Sequence, residues 1–242
     1  MSALAWSDVS IPTENPTKKS SPLSSNQPSS KLDLATIDLD VYDAKLADKT
    51  ATQIVEWVAK HAKNPILTTN FRPQTSALLH LVTQVMPDIP VIWVDTGFNS
   101  DPTLEFAEKL TQKLNLNLKV YHPEQTAELE AFRKNGIPMP DDVEAHARFS
   151  RLVKLDPFEQ ALADYTPDAW ITGIRREQNE FRESLDVLSR SEGGILKVAP
   201  MFYWSKQDQL DYIANHNLPD EHRYFDPTKL DESRECGLHT QL

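Results

Sequence analysis

The stretch Ile66-Leu67-Thr68-Thr69-Asn70-Phe71-Arg72-Pro73-Gln74-Thr75-Ser76 reads as a short strand that breaks into a polar loop and restarts as a helix. Apolar and β-branched residues over 66–69 suit a strand, and residues 74–85 carry apolar side chains at helical spacing. The same alternation recurs downstream. It predicts strands at 91–94, 116–121, 169–173 and, more weakly, 196–199, with helices at 102–114, 157–164 and 206–216. Upstream, Thr50-Ala51-Thr52-Gln53 resembles a polar helix cap before Ile54, Val55, Trp57, Val58 and His61. Short strands alternating with amphipathic helices indicate an α/β fold, with a parallel sheet of about five strands flanked by helices. Ligands of such open sheets bind beyond the carboxyl ends of the strands, so the loops after the strands are where chemistry belongs.

Outward from this core the chain changes character. Residues 10–31 are dense in Ser, Pro, Asn and Lys with little to bury, so residues 1–33 are expected to be a disordered low-complexity tail. Order is expected from Leu34, where Leu34, Ile37, Leu39 and Tyr42 begin a regular apolar pattern. Residues 34–225 are expected to form the α/β domain, followed by a C-terminal segment over 226–242. A polar region over 123–150 holds Pro138, Pro140 and five acidic residues between Glu124 and Asp142, and reads as an irregular or helical excursion.

The 242 residues are 39% hydrophobic and 25% charged, with a net charge of −11. No apolar run approaches the roughly 18 residues of a membrane helix, which excludes a membrane protein of that kind. The acidic balance argues against binding a nucleic-acid backbone, which needs clustered cations. An anionic ligand must then be held by a few placed cations and backbone amides. The sequence start lacks a basic region followed by an apolar one, and only one cysteine is present, so a reducing cytoplasm is the expected compartment.

Four segments can carry chemistry. The loop Thr68-Thr69-Asn70-Phe71-Arg72 offers hydroxyls, an amide and a guanidinium at a helix N-terminus, where unpaired N–H groups and the dipole suit a phosphate; an ordinary capped turn would look similar. It lacks the Gly-x-x-x-x-Gly-Lys of a Walker loop. Asp95-Thr96-Gly97-Phe98 follows an apolar strand and suits either a ribose or adenine contact or a plain turn. Gly173-Ile174-Arg175-Arg176-Glu177-Gln178 puts two arginines before a helical stretch, where the dipole opposes cations and an oxyanion ligand would explain them. Cys236 is the only cysteine, near Lys229, Arg234 and His239, whose positive charge favours the thiolate, with Glu235 acting in the opposite direction. One thiol cannot close an intramolecular disulfide, form a Cys₄ zinc site or hold an iron–sulfur cluster.

Arg234-Glu235-Cys236-Gly237-Leu238-His239 resembles the Glu-Cys-Gly-Leu-His signature of the sulfonucleotide reductases, and the arginine segment from Gly173 to Gln178 resembles their arginine-rich motif. Val94-Asp95-Thr96-Gly97-Phe98 is similar to their Asp-Thr-Gly-Tyr segment, with Phe for Tyr, and Val153-Lys154-Leu155-Asp156-Pro157 to their Lys-Val-x-Pro segment. Their phosphate loop, Ser-Ser-Ser-Phe-Gly, corresponds to Thr68-Thr69-Asn70-Phe71-Arg72, with Arg72 in the place of Gly. The resemblance implies an adenine-nucleotide α-hydrolase-like fold, with 34–225 as a nucleotide-binding reductase domain and 226–242 as a mobile C-terminal segment carrying the catalytic cysteine. It also implies reduction of 3′-phosphoadenylyl sulfate to sulfite and adenosine 3′,5′-bisphosphate in assimilatory sulfate reduction.

In that scheme Cys236 is catalytic and forms an S-sulfocysteine. Thr68, Thr69, Asn70, Arg72, Asp95, Gly97, Phe98, Lys154, Gly173, Arg175, Arg176, Gln178, Arg234 and His239 bind the substrate, with no metal. No cofactor is bound and no iron–sulfur cluster is expected; reduced thioredoxin or glutaredoxin is the electron donor. The implied partners are the sulfonucleotide and that donor, and a homodimer is admitted. A cluster-free adenylyl-sulfate reductase is one alternative. Another is a non-catalytic nucleotide-binding or thioredoxin-docking regulator. An ATP-cleaving adenylating enzyme of the same fold would require Ser-Gly-Gly-x-Asp-Ser, which this chain lacks.

Overall fold

The computed structural model describes residues 32–139 and 141–229. Its centre is a six-stranded sheet of β1 (Pro65–Thr69), β2 (Val91–Val94), β3 (Leu118–Tyr121), β4 (Ala169–Ile171), β5 (Leu188–Arg190) and β6 (Leu196–Val198), in the order β3-β2-β1-β4-β6-β5. All pairings are parallel except β5 with β6. The expected α/β class holds, with one strand more than the pattern predicted. β5 escaped because Leu188-Ser189-Arg190 holds a single apolar residue, whereas the equally short β4 and β6 hold two or three.

Helices α1 (Leu39–Leu46) and α2 (Ala51–His61) precede the sheet. α2 starts with the Thr50–Gln53 capping box that the sequence suggested. Each crossover then follows from its sequence. α3 (Thr75–Val85) links β1 to β2 and α4 (Asp101–Leu114) links β2 to β3. β3 begins at 118 rather than 116 because Asn115 leaves α4 in a left-handed conformation and Leu116 N–H bonds back to Thr111 O, which uses the next residues as the helix exit. The polar excursion is helical, as α5 (Ala127–Asn135) and α6 (Val143–Ser150). α6 runs into a π turn, Arg151–Leu155, and then α7 (Asp156–Tyr165). Pro157 lacks the N–H that would continue the α ladder and crowds the carbonyl four residues back; the wider turn, closed by Asp156 N–H on Arg151 O, accommodates it. A 3₁₀ turn (Arg176–Gln178), the one-turn α8 (Glu180–Glu183) and α9 (Lys206–Asn215) complete the described elements.

Strand residues divide between two faces with the two-residue period. Leu67, Val91, Trp93, Ala169 and Ile171 enter the large core under α2, α3 and α4, while Ile66, Ile92 and Trp170 meet Phe158 and Ala161 of α7 on the other face. A third cluster of Leu129, Phe149 and Val153 roofs the excursion, with Phe98 and Phe132 against it. Leu32 packs on the main core; residues 1–31 of the expected tail lie outside the described residues.

Connectivity decides where the site sits. From β1 the chain moves outward to β2 and β3, then returns across to β4 on the other side of β1. The loops after β1 and β4 therefore leave in opposite directions and open a crevice at their carboxyl ends.

Candidate active site

A cavity of about 110 Å³ lies in that crevice. Thr68, Thr69, Asn70, Arg72, Pro73, Gln74 and Thr75 line it from the β1–α3 loop, and Gly173, Ile174, Arg175 and Gln178 from the loop after β4. Lys154, Arg182, Gln209 and Lys229 close it. Five cationic side chains and no carboxylate are among these residues, in a chain with a net charge of −11. Local charge of this kind opposes the mean field and suits an oxyanion.

The β1–α3 loop is shaped by inward anchors. Phe71 adopts a positive φ of 50° and buries its ring to 1% exposure, edge-on to Trp93 at 5.0 Å and to Phe106 at 6.3 Å. A left-handed phenylalanine costs about 1 kcal/mol, which burying an aromatic ring offsets. Gln74 is the second left-handed residue, with φ of 63°, and stands outside the helix that the sequence placed it in. Arg72 has no positive φ, so an arginine in place of glycine meets no backbone penalty there. Thr68 Oγ1 accepts from Trp170 Nε1 at 2.9 Å, tying the β1 end to β4. Thr69 Oγ1 lies 3.0 Å from Thr75 Oγ1 and accepts from Phe71 N–H, while Asn70 Oδ1 accepts from Arg72 N–H at 3.3 Å. These bonds turn the loop back over the first turn of α3, whose dipole favours an anion.

On the facing side Arg175 is 6% exposed. Its Nη1 donates to Glu177 Oε1 and, at 3.1 Å, to Trp204 O; the same carboxylate oxygen accepts from Lys206 N–H at 2.7 Å, at the start of α9. Gln178 Oε1 accepts from Arg175 N–H and from Arg182 Nη1. The two arginines are thus fixed by a shared amide before any ligand arrives, which reduces the entropy lost on binding.

Lys154 projects from the π turn and is 6% exposed. Its Nζ donates to Asp226 Oδ2 at 2.8 Å and to Thr228 Oγ1 at 3.0 Å. Burial raises the Asp226 carboxyl, but the adjacent Lys154 ammonium and the Thr228 bonds outweigh it and hold the acid below its ordinary range. Within the segment expected to be mobile from 226, Asp226 and Thr228 bond to Lys154, and Asp226 cannot leave that ammonium without stranding a buried charge.

The sequence candidates separate into three groups. Thr68, Thr69, Asn70, Arg72, Lys154, Gly173, Arg175 and Gln178 converge on the cavity. Asp95, Gly97, Phe98 and Arg176 do not line it. Asp95 knits its own loop, accepting from Gly97 N–H at 3.0 Å and Asn99 Nδ2 at 2.7 Å, and Phe98 packs edge-on to Phe149 at 5.1 Å. Arg176 is exposed: it opens the 3₁₀ turn, whose first two residues, Arg176 and Glu177, both face solvent after the buried Ile174 and Arg175. Arg234, Cys236 and His239 lie outside the described residues. Arg182, Gln74, Gln209 and Lys229 line the cavity without having been singled out as ligand contacts; Arg182 carried a signal, being a third arginine just behind the pair.

A family model described as the phosphoadenosine phosphosulfate reductase domain matches residues 64–226, from the start of β1 through Asp226. The chain belongs to the phosphoadenosine phosphosulfate reductase family. A protein of that name from a Synechococcus strain is 35% identical over 223 residues, covering 81% of this chain and 95% of the relative. One from Proteus mirabilis is 37% identical over 182 residues, covering 75% and 74%. Among solved structures, the phosphoadenylyl-sulfate reductase from Candida auris in a phosphate complex superposes with a TM-score of 0.66 at 21% identity, over 76% of this chain and 90% of that one. Candida glabrata FMN adenylyltransferase follows with a TM-score of 0.52 at 14% identity, over 76% and 60%. These two similarities establish the shared fold, the adenine-nucleotide α-hydrolase-like architecture expected from the motifs. In this family member the matched region spans both cavity-forming loops and the Lys154 turn.

Proposed function

We propose that this chain reduces 3′-phosphoadenylyl sulfate to sulfite, with Cys236 as the nucleophile and thioredoxin or glutaredoxin as the reductant. The observation that carries the reading is the cavity at the β1–β4 crevice of a reductase-family chain, lined by Arg72, Lys154, Arg175, Arg182 and Lys229 with no carboxylate among its described residues. A doubly phosphorylated nucleotide carrying a sulfate presents several anionic groups, and forked, pre-fixed arginines match them.

The chemistry balances as follows. The Cys236 thiolate attacks the sulfate sulfur, an S–S bond forms, the S–O bond to the 5′-phosphate breaks, and its electron pair leaves on the phosphate oxygen. Phosphate leaves as a stable anion, so fixed cations rather than a general acid assist departure. A donor thiolate then attacks Cys236 Sγ, sulfite departs with the S–S pair, and the donor's second thiol resolves the mixed disulfide. Sulfur falls from oxidation state VI to IV, and the donor dithiol supplies the two electrons. With one cysteine in the chain, the resolving thiols must come from outside. The same count leaves no set of thiolates for a cluster.

The deciding experiment is intact mass measurement after incubation with each sulfonucleotide and no donor. The expected result is one added SO₃ group on Cys236 from the 3′-phosphorylated nucleotide and release of adenosine 3′,5′-bisphosphate. Absence of the adduct with both nucleotides overturns the mechanism, and labelling by adenylyl sulfate alone overturns the substrate.

A further inference from the structure

Gln74 turns the chain from the β1–α3 loop into α3, and it does so in a left-handed conformation, φ 63° and ψ 5°, without a capping bond from its own side chain. A residue other than glycine keeps that conformation only where its surroundings impose it. The clamp comes from 146 positions downstream, in the strap that runs from Leu218 to Lys229 after α9. Asp220 Oδ1 accepts from Gln74 N–H at 2.7 Å, and Oδ2 accepts from Gln74 Nε2 at 3.2 Å. One carboxylate thus grips both the backbone and the side chain of a buried residue.

Asp220 is itself delivered by a fixed route. α9 ends in a left-handed Asn217, φ 48°, with Asn217 N–H on Ala214 O and Leu218 N–H on Ile213 O, the paired bonds of a Schellman exit. Lys113 Nζ of α4 donates to Asn217 O at 2.7 Å, Leu218 packs against the main core, and Pro219 restricts the backbone just before Asp220. Beyond it, Glu221 Oε1 accepts from Arg223 N–H at 2.8 Å, and Arg223 O accepts from Ser100 Oγ at 3.3 Å. His222 Nε2 lies 3.7 Å from Asp220 Oδ2 on the solvent side. The strap is therefore held on both sides of the carboxylate.

We infer that Asp220 is a positioning residue for the anion-binding loop: by holding Gln74 in the left-handed turn, it sets Asn70 and Arg72 at the cavity before a ligand arrives. This rests on the reading of that cavity as the nucleotide site. Asp220 does not line the cavity, and its charge works against an anionic ligand, so its contribution comes through the two bonds. Without them Gln74 can leave the positive φ, and the apparent affinity falls by the fraction of molecules whose loop stays competent. Saturating ligand restores the loop, so the loss falls on binding and not on the chemical step. Global destabilisation has the opposite signature, because it removes active molecules and leaves the affinity of the rest unchanged.

The test reads amide exchange and binding. In the ligand-free chain, Asp220→Ala is expected to speed hydrogen exchange of the Gln74 amide about tenfold while β2 amides keep their rates. Unchanged exchange at Gln74 overturns the inference. In calorimetry, Asp220→Ala is expected to weaken adenosine 3′,5′-bisphosphate about tenfold, with single-turnover S-sulfonation at saturating 3′-phosphoadenylyl sulfate within about twofold of wild type. A loss confined to the saturated rate, with affinity unaltered, overturns it. Asp220→Asn, whose side-chain oxygen still accepts from Gln74 N–H, is expected to bind within about threefold of wild type. On a Gln74→Gly background, where glycine takes the positive φ unaided, Asp220→Ala is expected to cost about threefold instead of about tenfold, and an undiminished cost overturns the inference. A wild-type chain that binds no such nucleotide sinks the nucleotide reading instead, and exchange at Gln74 then decides the role of Asp220 alone. If Asp220→Ala does not fold, Asp220→Ser, whose single oxygen cannot grip both groups, takes its place.

Discussion

The two ends of the sheet make opposite uses of the same strands. At the amino end a cavity of about 480 Å³ is lined by Lys63, Asn64, Pro65, Met86, Pro87, Asp88, Ile89, Pro90, Asp164 and Tyr165. At the carboxyl end the cavity is about 110 Å³, yet five cations converge on it. The larger space has one cation and two carboxylates around a proline-rich wall, and its backbone is held from outside the lining, where Asp168 accepts from Lys63 N–H at 2.7 Å and Asn64 N–H at 2.9 Å. Volume therefore does not locate the chemistry here. The strand reversal at β1 and β4 does, because it splays two loops and leaves the α3 N-terminus facing the gap.

The strongest test of this contrast is at the carboxyl end. Cys236→Ser is expected to lower turnover by more than about 10³-fold while nucleotide affinity stays within about threefold, measured by sulfite formation and by calorimetry; retained turnover would remove the nucleophile from the scheme. Arg175→Ala is expected to lower kcat/KM about 100-fold. Arg175→Lys should recover part of this but lose the fork that spans Glu177 and Trp204 O. Equal effects of the two substitutions would show that only charge matters at 175.

Smaller effects should appear in stability alone at the amino end. Asp168→Ala strands two backbone N–H groups near water, with an expected loss of about 1 kcal/mol in chemical denaturation and an unchanged KM. A changed KM would mean that the two ends communicate. Lys63→Ala, at an exposed residue of the larger cavity, is expected to leave kcat/KM within about twofold.

A third region sharpens the contrast, because it titrates away from both cavities. Asp43 of α1 accepts from Leu188 N–H of β5 at 2.8 Å, and burial pushes its carboxyl up to about 6, the bond to Leu188 opposing the shift in part. Below pH 4 both folded and unfolded states hold the proton. Between about 4 and 6 the unfolded chain releases it first, so stability falls as pH rises through this window and stays lower above it. Asp43→Asn is expected to flatten that slope and to stabilise the chain above pH 6 by on the order of 1 kcal/mol after solvent screening. A slope that survives the substitution would assign it elsewhere.

Much of this was legible along the chain, and the failures have definite causes. The apolar run at 91–94 located β2 because a parallel strand buried on both faces needs such a run, and the apolar and β-branched residues 66–69 located β1. β5 was missed because Leu188-Ser189-Arg190 holds one apolar residue, while the equally short β4 and β6 hold two or three. Of the cationic candidates, Arg72, Lys154 and Arg175 line the cavity and Arg176 does not, because it starts a 3₁₀ turn whose first two residues face solvent, a local geometry that the pair of arginines does not reveal. Asp95 and Phe98 belong to a matching motif, but their hydrogen bonds and ring contacts organise the adjoining loop.

The sequence by itself determined the α/β alternation, the single thiol and the motif set that marks the reductase family, because periodicity and residue chemistry are local properties. Only the tertiary structure decided that Lys154 and Asp226, 72 positions apart, form a buried pair at the cavity wall. Pairing of that kind depends on where the π turn and the strap meet, and no local pattern encodes it. The same holds for the five cations drawn from separate elements: their mutual repulsion is offset where Asp226 pairs with Lys154 and Glu177 with Arg175 behind the cavity wall.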